Sequence, residues 1–361
     1  MRQYLQKIAT GPQLSKDLSR EEAYSAMTEI LSGADPVQAG IFLIALRMKR
    51  ETMAEYQGVL DALLAHAHQA RTSVDEVLDL SDPFDGFTRG LPAAPFLPAV
   101  LAACGVATVS NGAESIGPKF GATHCKVLRS AGVAVDLTPS QAAEQLADPA
   151  IGWAYVDQRF SCPPLHDLAE LRTRIVKRPC LTTLEVLLGP VRGTSRTHLL
   201  TGYVHKPYPP VYAALARESG YASAIIVRGV EGGVTPSLNQ PSKLFSCQDV
   251  EPDREVRLEP ADYGIHAAVR SVPIPSAASA RRGDGDIMMT WDADTLAASA
   301  TEAGLQALAG VHGPTRDSLV YAAALCLSQL GRETDPTTAS AKVRSVLDSG
   351  EAARRFEAAT Q

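Results

Sequence analysis

Residues 18–52 read LSREEAYSAMTEILSGADPVQAGIFLIALRMKRET. Ser19 with Glu22 three residues on is a capping box, in which each side chain satisfies a backbone N–H at a helix start. Asp35-Pro36 marks a second start, with Pro36 at the first helical position, where its missing N–H costs nothing. Thr52 with Glu55 repeats the capping box ahead of YQGVLDALLAHAH. Between these starts the run AGIFLIALRMK (39–49) is too apolar for a surface helix. It is expected to be buried, with a subunit contact as one use of it. Residues 1–72 therefore predict a compact all-α module.

The hydrophobic period changes after about residue 74. VDEVLDL, VATVS, VAVDL, IGWAYV, HLLTGYV and ASAIIVRG read as strands, and helical segments separate them. Such alternation predicts an α/β fold with a mostly parallel central sheet. Helices over about 164–192 interrupt it and are expected to pack on the N-terminal module. Residues 249–285 are irregular, with an antiparallel strand at REVRL and a mobile loop at PSAASARRGDGD (275–286). From Asp292 the chain is helical again. The expected organisation is a small helical domain, 1–72, joined by a hinge to an α/β domain, 73–361.

Composition removes several function classes. The 361 residues carry a formal charge of −6 and are 45% hydrophobic. A slightly acidic chain is not a dedicated nucleic-acid binder, although a local basic patch can still hold phosphates. Six scattered cysteines without a CxxC pair read as reduced, buried thiols. No apolar run is long enough for a membrane helix, and MRQYLQKIATG has no signal-peptide core, so a cytoplasmic protein is expected. There is no HExxH, GxSxG, P-loop or zinc spacing.

The stretch DLSDPFDGFTRG (79–90) follows the first strand and has the position of a ligand loop. A cluster of cations lies further on. Arg159, Arg172, Arg174, Lys177, Arg178, Arg192, Arg196 and Lys206 face only Asp167, Glu170 and Glu185 over residues 159–206. This local excess is either a solvated basic face or an electropositive cleft. His124 at a helix start and His205-Lys206 after a strand read as local structure.

Together with ACGVATVSNGAESIGPKFG (103–121), AGVAVDLTPSQAAEQL (131–146), VLLGPVRG (186–193) and DSLVYAAALCL (317–327), the N-terminal stretch makes the chain resemble the anthranilate phosphoribosyltransferase family. These are glycosyltransferases of tryptophan biosynthesis with a nucleoside-phosphorylase-like fold, and the resemblance covers nearly the whole chain. It implies a homodimer formed through the helical domain and an anionic small molecule in the interdomain cleft. It also implies a diphosphate loop GTGGDG, whose glycines admit phosphate oxygens to the backbone. Here the aligned residues are Ser81, Asp82, Pro83, Phe84, Asp85 and Gly86. Only Asp85 and Gly86 match; Pro83 has no N–H, Phe84 adds a ring and Asp82 adds negative charge.

Three further family segments also differ. The stretch that supplies Asn, Ser and Thr side chains is GLPAAPF (90–96). The KHGN turn is Ser110, Asn111, Gly112 and Ala113. The magnesium pair aligns with Val234 and Thr235, neither a carboxylate ligand, so no metal site and no cofactor are expected. Candidate anion contacts are Lys119 before a helix, Arg172 at a family arginine, Asp85, Gly86, Arg89, Asn111 and Gly112. Asp85 could instead close an Asx turn. Arg89 could enter the cleft or pair with Asp82 or Asp85. Two readings stay open: a phosphoribosyl-type transferase with a rebuilt donor site, and a non-catalytic anion- or nucleic-acid-binding protein on the same fold.

Overall fold

The computed structural model describes residues 1–11, 13–248, 253–275, 280–282 and 289–360, with 280–282 and 289–291 described by backbone alone. Four helices open the chain: α1 (Arg2–Ile8), α2 (Arg20–Leu31), α3 (Pro36–Lys49) and α4 (Met53–His66). Both capping boxes form, at Ser19/Glu22 and Thr52/Glu55, and Asp35 caps α3 through the Gln38 N–H. Glu55 does more than cap. It is fully buried, accepts the Leu18 N–H at 2.8 Å and pairs with Lys49 at 2.8 Å, tying the starts of α2 and α4 to the C-terminal end of α3.

The α3 helix is not buried all round, as its composition suggested. Phe42, Leu43 and Leu46 face the core, while Val37, Ile41 and Met48 are exposed. These exposed side chains border an apolar groove of about 700 Å³ that continues onto Ile8, Leu171 and Ile175.

Seven strands form one sheet: β1 (Glu76–Ser81), β2 (Thr108–Gly112), β3 (Trp153–Asp157), β4 (Arg196–Gly202), β5 (Ser223–Val227), β6 (Ser242–Gln248) and β7 (Arg254–Leu258). Their order is β3-β2-β1-β4-β5-β6-β7. The first five are parallel, and β6 and β7 are antiparallel. Side chains alternate between two covered faces, as a sheet buried on both sides requires. Thus Leu200, Ile225 and Val227 enter a core with Trp153 and Phe356, while Leu199, Ala224 and Ile226 join a second cluster that continues into the helical domain.

Two elements depart from the sequence expectation. VAVDL alternates correctly, with Val133 and Val135 buried, but pairs with no strand. It follows α5 (His124–Ser130) as an extended connector and uses its period-two pattern to pack against the core. The strand SKLFSCQ, β6, carried too many polar residues to be read from pattern. REVRL forms the antiparallel strand expected of it. Most of PSAASARRGDGD lies outside the described residues; its Ala280–Arg282 pairs antiparallel with Met289–Trp291. Among the described residues no helix is long and apolar enough to cross a membrane. All six cysteines are free and buried.

The sheet order places the site. From β1 the chain goes first to β2 and β3 on one side, later to β4 and β5 on the other. In open α/β sheets, ligands bind beyond the strand C-termini at such a reversal. Ser81 closes β1 in register with Asn111 of β2 and Thr201 of β4, so the 79–90 loop leaves the sheet at that crevice.

Candidate functional site

Nearly every polar group of the 79–90 loop is engaged by the protein. Asp82 is buried; one carboxylate oxygen accepts the Val234 N–H at 2.8 Å and the other lies 2.9 Å from His124 Nε2. Pro83 accepts the Gly86 N–H at 2.9 Å, closing a tight turn. Gly86 has φ +75°, and a Cβ there would meet the backbone of Gly121 at 2.7 Å. Phe87 then pairs with Ala122 in a short antiparallel bridge.

Phe84 has the largest consequence. It is 4% exposed and belongs to the hydrophobic cluster that runs from the helical domain onto one face of the sheet, which also takes in Ala113 and Ile116 from the loop after β2. Its neighbour Asp85 binds two cations rather than forming an Asx turn. One oxygen lies 3.2 Å from Lys119 Nζ; the other accepts from Arg178 Nε at 3.0 Å and from its terminal nitrogen. Arg178 belongs to the segment over the helical domain, where its carbonyl accepts from Arg47.

Glu231, between β5 and β6, completes the cluster. Its carboxylate accepts the Thr88 N–H at 3.1 Å and the Arg89 N–H at 2.8 Å, and lies 3.8 Å from Lys119 Nζ. Lys119 also sits over the Phe87 ring at 5.5 Å. The candidates Asp85, Gly86, Lys119 and the Arg89 backbone are thus brought together. The Arg89 side chain is exposed.

Asn111 and Gly112 lie at the strand ends beneath this cluster. Asn111 Nδ2 donates to Asp79 at 2.6 Å and to Ser81 Oγ at 2.8 Å, and Tyr221 donates its hydroxyl to Asp79. Asp79 is fully buried; burial pushes its carboxyl up to about 6, against the opposing pull of Tyr221, Arg192 and Asn111. Arg172 is set apart from the loop. It is buried against Glu185 in a forked pair, at 2.6 and 2.8 Å, and Gln158 donates to the same carboxylate at 3.0 Å. Burial works to lower the Arg172 pKa, but the Glu185 charge and hydrogen bonds outweigh it, and the guanidinium stays firmly charged.

The basic stretch is largely matched by carboxylates. Arg159 meets Asp136 at 2.8 Å, Arg174 meets Glu170, and Arg196 lies 3.9 Å from Glu76. Arg192 stacks over Tyr221 at 4.2 Å. Around the loop, the cavity bordered by Phe87, Gly90, Val230, Thr235 and Ser318 measures about 20 Å³. That is room for about one water molecule.

A magnesium ion would need oxygen ligands in near-octahedral array. Val234 offers an apolar side chain, and its N–H already donates to Asp82. Thr235 offers one hydroxyl, and Asp82, Asp85 and Glu231 are each engaged by N–H, imidazole, ammonium or guanidinium groups. This donor set does not fit the ion. Glu231 was not singled out in the sequence, and Arg178 entered only as one cation of the basic stretch. The available signal for Glu231 was a lone carboxylate among Gly229, Gly232 and Gly233.

Comparison with known proteins agrees with this architecture. Residues 2–67 match the helical bundle domain of a glycosyl transferase family, and residues 95–275 match its a/b domain. The chain belongs to this glycosyltransferase family. The 79–90 loop lies between the two matched ranges. Among curated proteins, the anthranilate phosphoribosyltransferase of Acidithiobacillus ferrooxidans is 27% identical over 99% of this chain and 97% of its own. That of Anaeromyxobacter dehalogenans is 28% identical over 94% and 93%. The Thermus thermophilus anthranilate phosphoribosyltransferase structure has a TM-score of 0.74 at 20% identity, covering 96% of this chain and 95% of that one. A Saccharomyces cerevisiae structure in complex with PRPP and Mg has a TM-score of 0.73 at 16% identity, covering 99% and 95%. The family member described here is therefore anthranilate phosphoribosyltransferase-like along its whole length.

Proposed function

We infer that this chain does not transfer phosphoribosyl groups from the magnesium-bound diphosphate donor, and that it works as a non-catalytic protein on the family's fold. The observation that carries this reading is Phe84. Its ring is buried in the cluster that joins the helical domain to the sheet, while the adjacent Asp85 holds Arg178 of the segment over the helical domain. A loop anchored in this way is a joint between domains. To wrap a diphosphate it would have to withdraw a buried aromatic side chain and break an ion pair. Asp82 adds negative charge to the same turn, where an anionic donor would be repelled.

Assembly is the remaining function the fold supports. The exposed Val37, Ile41 and Met48 of α3 border a large apolar groove on the helical domain. We assign this face to a second copy of the chain. The nucleic-acid alternative gains little from the basic stretch, because so many of its arginines already face carboxylates.

Isothermal titration with phosphoribosyl diphosphate, with and without Mg²⁺, together with an anthranilate turnover assay, tests the reading. The expected result is no metal-dependent heat and no product. Magnesium-dependent turnover would overturn it.

A further inference from the structure

Two consecutive backbone N–H groups, those of Thr88 and Arg89, converge on the Glu231 carboxylate at 3.1 and 2.8 Å. Lys119 Nζ stands 3.8 Å away, itself steadied by Asp85 at 3.2 Å. Adjacent N–H groups with an ammonium beside them make a concave anion site of the kind that takes a phosphate or carboxylate. Here a side chain of the protein fills it.

The backbone shows that Glu231 is held there against its local preference. It has φ 53° and ψ 17°, a left-handed conformation. For a non-glycine residue this conformation is strained, because Cβ crowds the following carbonyl oxygen. Gly229, Gly232 and Gly233 surround it in sequence, so a glycine at 231 would relieve the strain and lose only the carboxylate. The hydrogen bonds to Thr88 and Arg89 offset the strain. While the glutamate remains, its carboxylate occupies both N–H groups.

We propose that Glu231 is a built-in anion: it occupies an oxyanion cradle made by the Thr88 and Arg89 N–H groups and Lys119, and external phosphate enters only when Glu231 is displaced. This inference rests on the reading that the cleft is closed to the diphosphate donor, and it names what closes this part of it. A tethered carboxylate competes at high effective concentration, so the intact protein should bind free phosphate poorly.

The test is calorimetric or NMR titration of inorganic phosphate and pyrophosphate into the full-length wild type, Glu231→Gly and Glu231→Gln. Removing the tethered competitor should tighten phosphate binding by at least about tenfold in Glu231→Gly. Glu231→Gln keeps an acceptor oxygen without the charge, so it should fall between the two; it also preserves the test if the glycine variant fails to fold. Adding Lys119→Ala to Glu231→Gly should abolish the gain. Pyrophosphate binding no tighter than phosphate marks a single-oxyanion cradle. Equal phosphate affinity in the wild type and the folded variants, or a gain that survives Lys119→Ala, overturns the inference. Phosphoribosyl transfer by the wild type would overturn the functional reading alone, so the two failures are separable.

Discussion

Asp79 and Asp85 lie six residues apart on either side of one strand end, and they are held in opposite ways. Asp79 is surrounded by neutral donors, the Asn111 amide and the Tyr221 hydroxyl, in the interior of the sheet. Asp85 lies between Lys119 and Arg178 at the domain junction. The first carboxylate finishes a strand register; the second closes a joint. Between them Phe84 is buried in the cluster that joins the helical domain to the sheet. The contrast shows how a loop can keep its place at a sheet's ligand-binding crevice while its side chains are used for packing and ion pairing.

The comparison can be broken most severely at Phe84. Phe84→Ala removes a buried ring shared by both domains and is expected to cost about 3–5 kcal/mol in urea unfolding. The lower urea midpoint should come with greater protease sensitivity near the junction. A cost under about 1 kcal/mol, typical of a surface position, would show that the ring does not hold the joint.

Asp79 sharpens the contrast through pH. Its folded pKa of about 6 lies above the ordinary carboxylate value, so the folded state binds the proton more tightly than the unfolded chain. The sign follows: this residue's contribution to stability falls as pH rises from about 4 to about 6 and stays low above that. Relative to wild type, Asp79→Asn should therefore improve by roughly 2–3 kcal/mol between pH 4 and pH 7. A difference that does not move with pH would contradict the burial argument. Asp85→Asn, which leaves Lys119 and Arg178 facing a neutral amide, should cost about 1.5–3 kcal/mol. That loss should shrink on an Arg178→Ala background, because the two residues share one interaction.

The smallest effect on the folded monomer belongs to the exposed side of α3. Met48→Lys should change unfolding stability by under about 0.5 kcal/mol, as surface substitutions do. Yet it should convert a sedimenting dimer to monomer. An unchanged dimer, or a wild type that sediments as a monomer, would remove this face as the contact.

Much of this molecule was legible in the sequence. Capping boxes at Ser19 and Thr52, the Asp35-Pro36 start and the period-two strands gave the helical module and the parallel sheet, because each rests on local chemistry. VAVDL misled for the same reason: alternation reports which side chains are buried, and a buried connector alternates as a strand does. In the site, the replacement of glycines by Pro83 and Phe84 was plain. Its outcome was not, since Arg178 and Glu231 reach the loop only through folding, from 93 residues away in one case and 142 in the other. Arg172 showed the opposite limit. The family resemblance implied an anionic ligand for it, and the fold shows Glu185 beside it.

The central claim is that the 79–90 loop is a joint closed by the protein's own groups. A crystal structure of the full-length protein soaked with phosphoribosyl diphosphate and Mg²⁺ tests it most directly. The account predicts Phe84 still buried between the helical domain and the sheet, Asp85 still on Arg178, and no diphosphate against residues 81–86. A diphosphate bound along that turn, with Phe84 withdrawn to make room, would contradict it.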